Sequence, residues 1–285
     1  MKKYIVIFVV SIVIGIVCIF YPFLGTTITS IKQQIVINEY NEQLSQLSSS
    51  DVSEKIKLAQ EYNNKLQTNT EETETNNENN NTIQDYYNAL SVGNDDVIGY
   101  ITIPKIEIIC PIYSEATDEQ LQKGIGHISG TSLPIGGIGT HCVLSGHTGL
   151  VGNQLFTDLD KLSVGDKFYI HTLDDILAYD INQIKVVLPD NATDYIKQQS
   201  DKDYCTLVTC TPYGVNSHRL LVRGERTEYI ESEDIEENTI IANNTTSSDR
   251  SNPQIDNPII YLTAIVLLIV LLVLIITQQK QIKNL

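Results

Sequence analysis

The amino-acid sequence predicts an all-β fold for residues 85–226, a barrel or sandwich of seven to eight short strands with short helices in its loops. Three observations predict it. Short β-branched and apolar runs recur at Ile98–Ile103, Ile106–Tyr113, His141–Ser145, Asp166–Leu173, Leu177–Leu188, Thr206–Thr209 and Leu220–Val222. Between them lie turn residues, and few stretches carry a helical period. The segments on either side are polar and acidic, with too little apolar surface to extend the core.

The chain has 285 residues and a net charge of −16, so it offers no basic patch for phosphates, and a nucleic-acid partner is disfavoured. Its N-terminal end is apolar. Residues 1–3 form a short tail with Lys2 and Lys3, and Tyr4–Phe23 then runs 20 positions without a charge. A helix of that length spans about 30 Å, a bilayer core, and the lysines suit a cytoplasmic N-terminus. A cleaved signal peptide is the alternative, but Tyr21-Pro22-Phe23-Leu24 supplies no small-residue cleavage site. Residues 259–277 form a second uncharged run, and Lys280 and Lys283 in the closing tail, 278–285, again mark the cytoplasmic side. The expected topology is two-pass, with everything between the spans extracellular.

Residues 24–84 read as a helical stalk followed by a polar region. Leu44, Leu47, Val52, Ile56 and Leu58 keep a loose helical spacing, whereas Thr68–Thr82 has no apolar residue. Residues 227–258 form an acidic, Asn/Ser/Thr-rich tether. Within the β region, Pro104-Lys105 separates the first two strands, and Thr117 caps a short helix running to Lys123. Asn153–Leu162 spaces Leu155, Leu159 and Leu162 like one helix face, and Asp174-Asp175 marks a turn between two further strands.

The chemistry concentrates in Cys205–Gly224, CTLVTCTPYGVNSHRLLVRG. A proline cannot donate to a central ladder, so the strand should stop at Thr211-Pro212 and leave Cys210 at its tip. In a hairpin, Arg219 returns beside that sulfur, and a nearby cation helps a thiol ionise. Five cysteines at irregular spacing do not form a disulfide framework. Cys110 and Cys142 read as core, and Cys205 faces the opposite side of the sheet from Cys210. Among five histidines, His127 and His171 read as structural, His218 points away from Arg219, and His141 opens a strand. His147, bracketed by Gly146 and Gly149 just past a strand end, is the best partner for the thiol. No HExxH or paired CxxC occurs, so neither a metal nor another cofactor is expected.

TLVTC followed by TPYGVNSHRLLVRG resembles the active-site signature of sortases, in particular the class C, pilin-polymerising group, over roughly 85–226. The resemblance implies the closed sortase barrel and a catalytic set of His147, Cys210 and Arg219. It also implies a Gram-positive cell membrane and a cysteine transpeptidase. Such an enzyme cleaves a Leu-Pro-x-Thr-Gly-like sorting signal through a thioester and passes the acyl group to a pilin lysine amine. The implied partners are proteins bearing the sorting signal and a lysine-bearing pilin acceptor. Three alternatives stand beside it: a housekeeping-type enzyme anchoring proteins to cell-wall precursor, a plain cysteine hydrolase, and a non-enzymatic adhesion module. Class C members carry a lid with an Asp-Pro-aromatic motif. Thr68–Thr82 contains none, so an open or weakly held lid is expected.

Overall fold

The structure, a computed structural model, describes residues 2–68, 89–90, 92 and 96–230; between residues 2 and 24 only Ser11 and Gly15 have described side chains. The chain divides into two units, Thr26–Thr245 and Met1–Gly25 with Thr246–Leu285. Among the described residues no helix is long and apolar enough to cross a membrane. The two runs expected to do so fall elsewhere: 4–23 where side chains are almost wholly undescribed, and 259–277 outside the described residues. The segment read as a lid likewise lies, from residue 69 on, outside them.

Eight strands close into one barrel. They are β1 (Val97–Ile103), β2 (Ile108–Tyr113), β3 (Ile125–His127), β4 (Thr140–Ser145), β5 (Lys167–Thr172), β6 (Asp175–Val187), β7 (Asp203–Thr211) and β8 (His218–Thr227). Their order is β1-β2-β3-β4-β7-β8-β6-β5, closed by β5 pairing with β1. Two neighbouring pairs are parallel, β2 with β3 and β4 with β7, and the rest are antiparallel. A parallel pair needs a crossover, and the short helix α3 (Asp118–Lys123) supplies it between β2 and β3. Thr117 caps that helix by accepting from the Gln120 amide at 3.3 Å, as its position predicts.

Side chains alternate across each strand. Ile101, Ile112, Leu144, Cys205, Leu207 and Val222 are fully buried in the main core. On the outer face of β4-β7-β8-β6, Val143, Val208, Leu221 and Val187 form a second apolar cluster, covered by Ile128, Ala192 and Ile196. His141 fastens that cover. Its Nδ1 lies 2.9 Å from the Lys197 carbonyl, which can only accept, so the imidazole donates there and its Nε2 accepts from Thr206 Oγ1 at 2.7 Å.

The stalk is two helices, α1 (Lys2–Ser45) and α2 (Ser49–Thr68). Ser48 and Asp51 break and restart it: Asp51 Oδ2 accepts from the Ser48 amide and hydroxyl, and Ser48 Oγ accepts from the Asp51 amide. α2 and the part of α1 from Thr26 onward pack on the barrel. Tyr40 on α1 accepts from the Leu173 amide at 2.9 Å, and Asn63 on α2 both donates to the Leu133 carbonyl and accepts from its amide. One expected helix is absent. Asn153–Leu162 forms turns and a 3-10 segment, Leu159–Lys161, because Leu155 takes a positive φ of 40° and the Phe156 amide bonds the His147 carbonyl. The leucines of that run are nonetheless buried.

Candidate active site

Cys210 is the penultimate residue of β7, and the cis Thr211-Pro212 bond turns the chain out of the sheet. The Pro212 carbonyl accepts from the Val215 and Asn216 amides, closing the turn, with Asn216 in a left-handed conformation. The chain re-enters the sheet at His218, and the antiparallel register sets Arg219 directly opposite Cys210. Paired residues share a face, and Cys210 and Arg219 each lie two positions along from Val208 and Leu221 of the outer cluster. Both therefore sit on the outer face, half-buried. The Arg219 guanidinium donates through Nη1 to the Asn216 and His218 carbonyls, at 3.3 and 3.1 Å.

His147 arrives from the other side. The parallel ladder of β4 and β7 ends at Ser145 opposite Val208, and two more steps in that register align His147 with Cys210. Two bonds hold it there: the Gly146 amide donates to the Val208 carbonyl at 3.1 Å, and Thr209 Oγ1 donates to the Gly146 carbonyl at 2.7 Å. Cys210 and Arg219 thus stand at one level of β7 and β8, about 4.8 Å apart, and His147 follows just past the end of β4, the strand on the other side of β7. Among the described residues no hydrogen bond joins their side chains.

The competing residues are occupied elsewhere. Burial pushes the Cys110 and Cys205 thiols well up, keeping both protonated. Burial opposes ionisation of Cys142 too, although hydrogen bonds from Cys205 and His127 outweigh it; that sulfur faces the barrel interior. His127 meets the Ser132 carbonyl and Thr131 hydroxyl, His171 the Thr102 hydroxyl and the Tyr100 ring, and His218 the Ser217 hydroxyl. Among the described residues no group of three or more His, Cys, Asp or Glu is arranged to hold a metal ion. A cavity of about 840 Å³ opens elsewhere, beside His141, Lys197 and Gly139, and Cys210 does not line it.

Comparison with known proteins follows the same residues. The family model of the sortase domain matches residues 101–227. Sortase C from Clostridium perfringens SM101 is 45% identical, with a TM-score of 0.57, over 68% of this chain and 99% of that structure. The chain belongs to the sortase family. Sortase C1 from Streptococcus agalactiae, 42% identical with a TM-score of 0.63 over 68% and 99% of the two chains, places its structural neighbours in class C. A curated relative, Sortase A of Bacillus anthracis, is 29% identical over 135 residues, 47% of this chain and 62% of its own length. The chain thus spans less than two thirds of that relative.

Two features of this sortase are not legible in its sequence. Gly146 is present for close packing: a Cβ there would lie 2.7 Å from the Phe156 ring and 2.8 Å from Ile125. Gly149 alone of the bracketing pair has a left-handed φ, 72°, and the Tyr213 ring lies against it. Neither contact follows from spacing, although the TPYG turn beside the cysteine pointed to the region.

Proposed function

We propose that this sortase is a cysteine transpeptidase that joins sorting-signal proteins to pilin lysines. The reading rests on one observation: Arg219 stands directly opposite Cys210 on the outer barrel face, and His147 follows two residues after Ser145, the last residue of β4 paired with β7. The Cys210 thiolate attacks the threonine carbonyl of a Leu-Pro-x-Thr-Gly-like signal. The threonine–glycine amide bond breaks, a thioester forms, and His147 gives its proton to the departing glycine amine. A lysine amine then attacks the thioester, His147 takes its proton, and an isopeptide bond forms as the thiolate is released. Arg219 has N–H groups beyond the two carbonyl bonds of Nη1, and these serve the substrate backbone or the developing oxyanion.

The pilin acceptor is supported by the class C neighbours. The Clostridium perfringens enzyme was crystallised with a C-terminal cell wall sorting motif, and the Streptococcus pneumoniae Sortase C structure was described in terms of pilin substrate specificity. The uncharged runs 4–23 and 259–277, each flanked by lysines, support a two-pass membrane protein with its barrel outside. A second reading, anchoring to cell-wall precursor, is favoured by the Sortase A relatives. Discharge of the acyl-enzyme separates the two. With the full chain in detergent micelles, transfer to a lysine-bearing pilin domain supports polymerisation, and transfer to glycine-type amines alone supports anchoring.

A further inference from the structure

Tyr213 stands three residues after Cys210, on the turn that separates it from Arg219, and its side chain is 69% exposed. Its ring lies against Gly149. A Cβ built on Gly149 would lie 2.9 Å from the ring Cε2 and 3.2 Å from Cζ, so the ring rests directly on the Gly149 backbone. Gly149 is two residues past His147, has no side chain, and holds a left-handed φ of 72° that a glycine leaves readily. The histidine loop is tied before His147 by Gly146 and Thr209, and behind it by the Phe156 amide on the His147 carbonyl and the Gly149 amide on Thr157 Oγ1. Tyr213 adds a tie from a different element, the cysteine–arginine turn, which the Pro212 carbonyl closes by accepting from the Val215 and Asn216 amides.

We propose that Tyr213 is a positioning residue for the transpeptidation: its ring, resting on Gly149, holds the His147 loop in register with Cys210. The inference rests on the reading of Cys210 and His147 as the reacting pair. It differs from a substrate contact, which would act on KM. The ring and not the hydroxyl carries the effect, because no hydrogen bond of that hydroxyl occurs among the described residues.

The test compares the full-length wild type, Tyr213→Phe and Tyr213→Ala in detergent micelles; the exposed ring can be removed without opening the core. Two quantities are read. One is the pH midpoint of iodoacetamide alkylation at Cys210, followed by peptide mapping, which needs no substrate. The other is kcat and KM for cleavage of a Leu-Pro-x-Thr-Gly peptide. A misplacement of an ångström or less costs on the order of tenfold or more in rate, so Tyr213→Ala should lower kcat about tenfold with KM unchanged. Its alkylation midpoint should move by about half a pH unit or more, and Tyr213→Phe should match wild type in both. An unmoved midpoint in Tyr213→Ala overturns the proposal whatever happens to kcat. So does a rise in KM alone, or a Tyr213→Phe protein that behaves like Tyr213→Ala. If wild type leaves the peptide intact, the transpeptidase reading fails, and the alkylation midpoints still decide the role of Tyr213.

Discussion

At the scale of single residues, three of four described cysteines are buried in the barrel, and only Cys210 is half-exposed beside a cation. Replacing Cys210 with Ala should abolish peptide cleavage. Because acid–base catalysis contributes roughly 10²–10⁴-fold, His147→Ala should lose at least about a hundredfold in kcat. Arg219→Lys keeps the charge but not the planar fork, and should still lose about tenfold or more, read as kcat/KM. Gly146 makes a stability prediction. A methyl group there overlaps Phe156 and Ile125, so Gly146→Ala should cost about 1–3 kcal/mol in urea unfolding. The pairing of Cys210 with Arg219 was legible in the sequence, since a strand-ending proline and a hairpin return are local signals. The reason for Gly146 was not: Phe156 and Ile125 reach it from other elements, and only the folded chain brings them there.

At the scale of elements, the cover over the outer apolar cluster depends on His141. Burial lowers its pKa below the usual histidine value, since a buried imidazolium is disfavoured. The sign follows. The unfolded chain takes up the proton near pH 6.5 while the folded protein resists it, so stability is full above that pH and falls as pH drops below it. Within that window the slope is at most about 1.4 kcal/mol per pH unit for one group. His141→Gln should lessen the acid sensitivity between pH 6.5 and 5, measured by thermal unfolding; an unchanged pH profile would separate the cover from His141 titration. The sequence placed His141 at a strand start but not under a strap, because Lys197 contacts it across 56 positions. Asn153–Leu162 failed as a helix for a related reason. Its leucine spacing records burial, which turns and a 3-10 segment satisfy as well as a helix does.

At the scale of the whole barrel, the strands were legible because each is a short apolar run between turn residues. Closure was implied by the resemblance alone, and neither it nor the strand order was legible in local signals, because the pairing of β1 with β5, about seventy residues apart, leaves no local mark. The docking of the N-terminal helices is a further long-range feature, and Tyr40 carries part of it. Burial pushes its pKa up to about 12, with the hydroxyl taking the Leu173 amide hydrogen. The raised value means that stability is intact below pH 10 and is lost as pH rises from 10 to 12, by about 3 kcal/mol for two pH units. Tyr40→Phe should be less stable at pH 8 by about 1–3 kcal/mol, the cost of an unpaired buried amide. Its deficit against wild type should narrow above pH 10 in denaturant titrations.

Catalysis through Cys210 is tested by intact-mass spectrometry of the full chain mixed with a Leu-Pro-x-Thr-Gly peptide, followed by peptide mapping. The expected result is a thioester adduct of the peptide's acyl part on Cys210, absent from Cys210→Ala and strongly reduced in His147→Ala. An adduct on Cys110, Cys142 or Cys205, or equal labelling of Cys210 in His147→Ala, would contradict it.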